Sequence, residues 1–134
     1  MTDVLLDTNI FIYAYDRTSV YHARSTVVFF DTNIRLHTTS KNITECVAVM
    51  TKLNFPQTDI EQLLSDILNN IRVLYPSDSS FRIFENLLKT YKPRGNKVFD
   101  LEIASVLLEH GTLQLATFNT SDFQHIPGIQ FYPL

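Results

Sequence analysis

A chain of 134 residues with 45% hydrophobic and 19% charged side chains has the length and balance of one domain with its own core. Three glycines and five prolines exclude a flexible linker or a low-complexity segment. The net charge of −3 argues against a tight, non-specific nucleic-acid binder, which would be basic overall, but not against an acidic site with a local basic patch.

The chain opens Met1-Thr2-Asp3, without the basic start and apolar core of a signal peptide. No apolar run approaches the roughly 18 residues that span a bilayer. Cys46 is the single cysteine, so no internal disulfide forms, and these features point to the cytoplasm. Val4-Leu5-Leu6 is a continuous apolar run of the kind found in strands covered on both faces. Asn9 to Tyr15 reads as a helix, Tyr21 to Asp31 as a second, and Ile34 to His37 as a second strand. Ser40 is placed to cap a third helix, with Ile43, Cys46, Val47, Met50 and Leu53 at three- and four-residue steps. After Pro56, Thr58 and Glu61 have the spacing of a capping box that opens a helix to about Asn70.

Arg72 to Leu74 is a third strand, Ser79 to Tyr91 a helix, and Asp100 to His110 a helix closed by Gly111. Leu113 to Thr117 and Ile129 to Tyr132 complete the strands. Strands alternating with helices predict an α/β domain: a central parallel sheet of about five strands with helices on both faces. Sites in such sheets form beyond the carboxyl ends of the strands.

Asp7 lies at one such end. Asp100 falls three and four residues before Ile103 and Ala104, which puts its carboxylate on the apolar stripe of its helix. Glu45 sits at the edge of a stripe, and Asp122 follows Asn119 by three residues after an apolar strand. Each has an ordinary alternative. Asp7 and Asp100 suit helix N-termini, Glu45 a solvated face, and Asn119 with Asp122 a turn. Together they change the picture, since a parallel sheet can bring all four to one edge. Grouped carboxylates repel, and a hard divalent cation such as Mg²⁺ or Mn²⁺ relieves that repulsion through oxygen ligands.

This four-acid order, carried by LLDTNIFIY, TTSKNITE, VFDLEIASVLLEHG and LATFNTSDFQHIPGIQFYPL, resembles the PIN-domain family of metal-dependent ribonucleases. More specifically it looks like the VapC-type toxins of toxin–antitoxin pairs, across essentially the whole chain as a single PIN-like domain. The resemblance implies a catalytic, metal-binding set of Asp7, Glu45, Asp100 and Asp122, with one or two ions. Asp7 and Asp100 are then the principal ligands, Glu45 a ligand or water-orienting base, and Asp122 a ligand directly or through water. Thr8, Ser40 and Asn119 match accessory polar positions that hold the carboxylates by hydrogen bonds. Many relatives carry an acid where Asn119 stands, which leaves the fourth acidic role open between Asn119 and Asp122. The implied reaction is RNA hydrolysis by metal-activated water, giving 5′-phosphate and 3′-hydroxyl ends.

An RNA substrate needs a grip. From Asn86 to Phe99 there is no acid, and Tyr91, Lys92, Arg94 and Lys97 are candidates for phosphate contact and base stacking; a solvated loop is the plain alternative. The resemblance also implies a second copy of the chain and an antitoxin whose tail covers the acidic groove. Two rival classes remain: a haloacid-dehalogenase-like phosphatase, which needs an acid where Asn9 stands, and a catalytically inactive PIN-like interaction module. His22, His37, His110 and His125 share no metal-ligand spacing, and Cys46 reads as core.

Overall fold

Val4, Leu5 and Leu6 are completely buried because their strand runs through the middle of the sheet. The computed structural model describes residues 1–134. In chain order the elements are β1 (Thr2–Leu6), α1 (Thr8–Tyr15), α2 (His22–Phe30), β2 (Ile34–Thr39), α3 (Ser40–Lys52), α4 (Gln57–Asn70), β3 (Arg72–Leu74), α5 (Asp78–Tyr91), α6 (Lys97–His110), β4 (Gln114–Ala116) and β5 (Gln130–Phe131). A 3₁₀ turn at Thr120–Asp122 follows β4. The five strands lie in the order β3-β2-β1-β4-β5, and every pairing is parallel. The expected α/β architecture is present.

Alternation along β1 divides the core. Val4 and Leu6 face a cluster built from α1 to α4, with Phe11, Val28, Cys46, Met50, Leu63 and Ile67. Leu5 faces the other cluster, where α6 contributes Leu101, Ile103, Ala104, Val106 and Leu107. A helix burying residues on nearly every side from Leu101 to Leu107 is covered all round there, since α5 packs outside it. No helix is long and apolar enough to cross a membrane.

Element boundaries correct several sequence expectations. Ser40 does not cap α3; Thr39 does, accepting the Asn42 backbone N–H at 3.1 Å. Strand β2 runs straight into the helix, so its last extended residue takes the capping role and Ser40 becomes the first helical residue. The capping box at Thr58 and Glu61 is not formed. Helix α4 already begins at Gln57 behind Pro56, which puts Thr58 inside the first turn. A capping box does open α5, where Ser77 and Ser80 each bond the other's backbone. Helix α6 starts at Lys97, before Asp100, and ends at Gly111, whose φ of +60° suits glycine. Leu53 falls beyond the last turn of α3 and is exposed.

Candidate active site

Strand order reverses at β1. The chain builds outward through β2 and β3 on one side and later adds β4 and β5 on the other. At such a switch point the connections beyond the strand ends diverge and leave a crevice. Asp7 follows β1 there, and Thr117 follows β4. The backbone N–H of Asp7 bonds Ala116 O at 3.0 Å, which ties the two strand ends together.

Asp7 is both a helix cap and a buried acid. Its Oδ1 accepts the Thr8 backbone N–H at 2.8 Å and the Asn42 amide at 3.0 Å, and its Oδ2 accepts the Thr117 hydroxyl at 2.8 Å. Only 7% of the residue is exposed. Burial raises its carboxyl above the ordinary 3.8, the three hydrogen bonds pull it back, and the charge of Asp122 adds to the rise.

Thr8 links this acid to the next. Its hydroxyl donates to Glu45 Oε2 at 3.0 Å and accepts the Asn42 amide at 3.1 Å. Asn42 is itself wholly buried, and its carbonyl oxygen accepts the Thr39 hydroxyl at 2.6 Å. Thr39, Asn42, Thr8 and Glu45 thus form one relay that fixes two carboxylates. Sequence reasoning assigned part of that work to Ser40 and missed Asn42. A signal was present: Asn42 stands four residues before Cys46 and eight before Met50, so an amide occupies the apolar stripe and needs a reason to be there. On the other side, Thr117 takes the turn-forming role expected of the Asn119 side chain, accepting the Asn119 backbone N–H at 3.0 Å. Its hydroxyl oxygen also accepts the Asn9 amide at 3.2 Å.

Asp7, Thr8, Glu45, Asp100, Asn119 and Asp122 line a single pocket of about 240 Å³. It opens into a wider cleft of about 820 Å³ that shares Thr8, Glu45, Asp100 and Asp122 and adds Lys41, Asn96, Lys97 and Phe99. All four predicted acids therefore meet. Asp100 is pushed up to about 6, first by burial and then by the charges of Asp122, Asp7 and Glu45, with Lys97 opposing. Glu45 is also raised by burial, against the Thr8 hydrogen bond and the charge of Lys41. These shifts describe negative charge gathered faster than the protein neutralises it.

The donor set suits a hard cation, being all oxygen with no His or Cys lining the pocket. The carboxylates share the pocket without any three of them closing into a ready-made cage. Asp7 and Asp100, with Glu45 and Asp122 beside them, are the residues able to hold such an ion.

The basic segment divides. Lys97 Nζ lies 3.8 Å from Asp122 Oδ1 and lines the cleft. Tyr91 donates its hydroxyl to His125 O at 3.2 Å, meets the His125 ring edge-on, and lines a small cavity with Lys97, Asp100 and Asp122. Lys92 caps α5 in the left-handed conformation, and Lys92 and Arg94 are exposed, outside the residues that line the cleft. Lys41 and Phe99, which the sequence did not single out, are inside it.

A parallel α/β sheet with an acidic crevice at its switch point defines the class of the domain, and the PIN domain family model matches residues 4–129. The chain belongs to the PIN domain family. Among solved structures it is similar to VapBC-1 from nontypeable Haemophilus influenzae, at 28% identity over 98% of this chain and 97% of that one, with a TM-score of 0.67. VapBC2 from Rickettsia felis, bound to a DNA fragment from their promoter, matches at 21% identity over 98% of each chain, with a TM-score of 0.75. VapC20 of Mycobacterium tuberculosis, a sarcin-ricin loop cleaving toxin, shares 14% identity over 97% of this chain and 99% of that one, with a TM-score of 0.77. The fold is that of VapC toxins. No curated protein matches the chain.

Proposed function

We propose that this chain is a divalent-metal-dependent endoribonuclease and the toxin of a toxin–antitoxin pair, acting in the cytoplasm. The observation that carries the proposal is the convergence of Asp7, Glu45, Asp100 and Asp122, from four separate elements, on one pocket. Membership of the PIN domain family and the fold shared with toxin–antitoxin complexes support it.

When bound, Mg²⁺ or Mn²⁺ supplies an acidified water and positive charge opposite the phosphodiester. Asp7 and Asp100 would hold the ion, with Asp122 directly or through water. Asp7 is preset for this, since hydrogen bonds from Thr8, Asn42 and Thr117 fix both of its oxygens. Glu45, oriented by the Thr8 hydroxyl and raised above its ordinary value by burial, would take the proton of the attacking water. Lys97 would face the substrate phosphate, and the Asn119 backbone carbonyl accepts the Asp122 N–H at 3.0 Å in the turn before that acid. An antitoxin tail and a second copy of the chain are the partners proposed with this function.

The test is cleavage of a structured RNA by purified protein with Mn²⁺. Asp7→Asn should abolish cleavage while leaving a cooperative thermal transition, with wild-type products ending in 5′-phosphate; an active Asp7→Asn protein removes the proposal. The same pair of proteins on a small phosphomonoester tests the phosphatase alternative. That alternative lacks its second acid: an asparagine, Asn9, stands in its place, its amide donating to Thr117 Oγ1 and its carbonyl accepting the Phe118 N–H. A wild type inactive on every RNA would leave the interaction module.

A further inference from the structure

Helix α3 carries Lys41 four residues before Glu45, the spacing at which a lysine and a glutamate on a helix ordinarily pair. They do not pair here. The Lys41 ammonium sits 3.6 Å from the centroid of the Phe99 ring, and Lys41 makes no ion pair with any carboxylate. Phe99 directly precedes Asp100, is 38% exposed, and lines the same 820 Å³ cleft as Thr8, Glu45, Asp100 and Asp122. An aromatic ring left open to solvent one residue from an acid of the site is poorly placed for core packing. Its neighbour is a cation whose charge reaches Glu45 but whose ammonium makes no ion pair with any carboxylate.

We propose that Phe99 and Lys41 form a substrate clamp: the Phe99 ring is a stacking platform for an unpaired nucleobase of RNA, and Lys41 binds the phosphate attached to it. The proposal rests on the nuclease assignment and deepens it by naming the contact that seats the strand. In the free protein the ammonium is stored on the ring face through a cation–π contact. A nucleotide entering the cleft offers both groups better partners, a base plane for the ring and a phosphate for the ammonium. The occupant is single-stranded or looped-out RNA, because a base paired in a duplex exposes no face to stack. Lys41 also balances the geometry of charge. Four carboxylates repel a polyanion, Lys97 lies 3.8 Å from Asp122, and Lys41 brings a second cation to the cleft that makes no ion pair.

The experiment uses the full chain carrying Asp100→Asn, so that RNA binds without being cut, and a short single-stranded RNA with one 2-aminopurine. Stacking should quench the fluorophore on binding. Adding Phe99→Leu should abolish the quench and weaken binding about tenfold, and Phe99→Trp should keep both, as loss of one base stack predicts. Lys41→Gln, which leaves the apolar surface intact and so guards against a misfolded Leu variant, should flatten the log–log salt slope of binding by about 0.7. Equal affinity and equal quench in the Phe99→Leu protein would overturn the clamp, and so would an Asp100→Asn protein that binds no RNA. If the quench and its loss are seen but wild type with Mn²⁺ cuts no RNA, the nuclease assignment fails and the stacking site stands.

Discussion

Asp100→Asn should make the metal-free protein more stable at pH 7.5. The Asp100 carboxyl is pushed from 3.8 to about 6, so in chelator at neutral pH the folded state carries an ionised group that the unfolded chain would carry at less cost. Each pKa unit corresponds to about 1.4 kcal/mol, which puts the full penalty near 3 kcal/mol. Asp100 is only partly buried, and solvent screening reduces the penalty to about 1–2 kcal/mol. The sign follows from linkage. Well below pH 3.8 the carboxyl is protonated in both states and the penalty vanishes; it grows as pH rises through 3.8 and is complete above about 6. Glu45 and Asp7 are raised as well and act in the same direction. Asp3, Asp16 and Asp31 are lowered and act oppositely, but in a more acid range. Thermal unfolding in EDTA should therefore show wild type more stable at pH 5 than at pH 7.5. Asp100→Asn should raise the Tm at pH 7.5 by about 3–8 °C and flatten the dependence above pH 5. Saturating Mn²⁺ should reverse the order by stabilising wild type more than the variant. A variant less stable than wild type at pH 7.5 in EDTA, or a wild-type Tm indifferent to pH between 5 and 7.5, would refute the reasoning.

Three further outcomes follow from the structure. Asn42→Ala should cost about 2–3 kcal/mol in urea unfolding, because Asn42 is fully buried and donates to both Asp7 and Thr8; a cost under about 0.5 kcal/mol would deny the relay its role. Cys46 is 1% exposed and its thiol is pushed up to about 12 by burial, so it should ignore a disulfide reagent in native buffer and react once in denaturant. Stoichiometric reaction of the native protein would contradict the core assignment. Gly111→Ala should cost about 1 kcal/mol by denaturant unfolding, since φ is +60° and nothing lies within 4 Å of an added Cβ; a larger loss would reveal a contact the backbone geometry does not show.

What the sequence made legible was whatever a single element encodes. Val4-Leu5-Leu6 announces a central strand because continuous apolarity has few other uses, whereas each of the four acids has an ordinary reading alone and gains meaning only from their order along the chain. What it hid depends on where elements meet. Thr58 and Glu61 have the spacing of a capping box, but the helix already starts behind Pro56, and moving the cap two residues upstream takes the hydroxyl off its target. Lys92, Arg94 and Lys97 look alike in a row. Only Lys97 enters the cleft, because α5 ends at Lys92 in a left-handed conformation and α6 begins at Lys97 itself. Lys41 and Phe99 lie far apart along the chain and come together only when α3 and α6 are placed side by side.

Asp7 shows why the ordinary and the functional meanings of a residue need not compete. As the cap of α1 it needs one carboxylate oxygen, and Oδ1 accepts the Thr8 N–H. A cap in that place would normally face water at little cost. Here β1 and β4 hold it beneath the sheet edge, and Asn42 and Thr117 also donate to it, opposing the rise that burial imposes on its carboxyl. Neither partner is required by the helix. An apolar residue at each position would bury as well, and a threonine cap at Asp7 would serve α1 without the desolvation cost. The surplus of donors around a carboxylate that capping alone does not demand is the physical mark of a charge kept for another purpose, and Asp100 and Glu45 face the same pocket with their own charges incompletely neutralised.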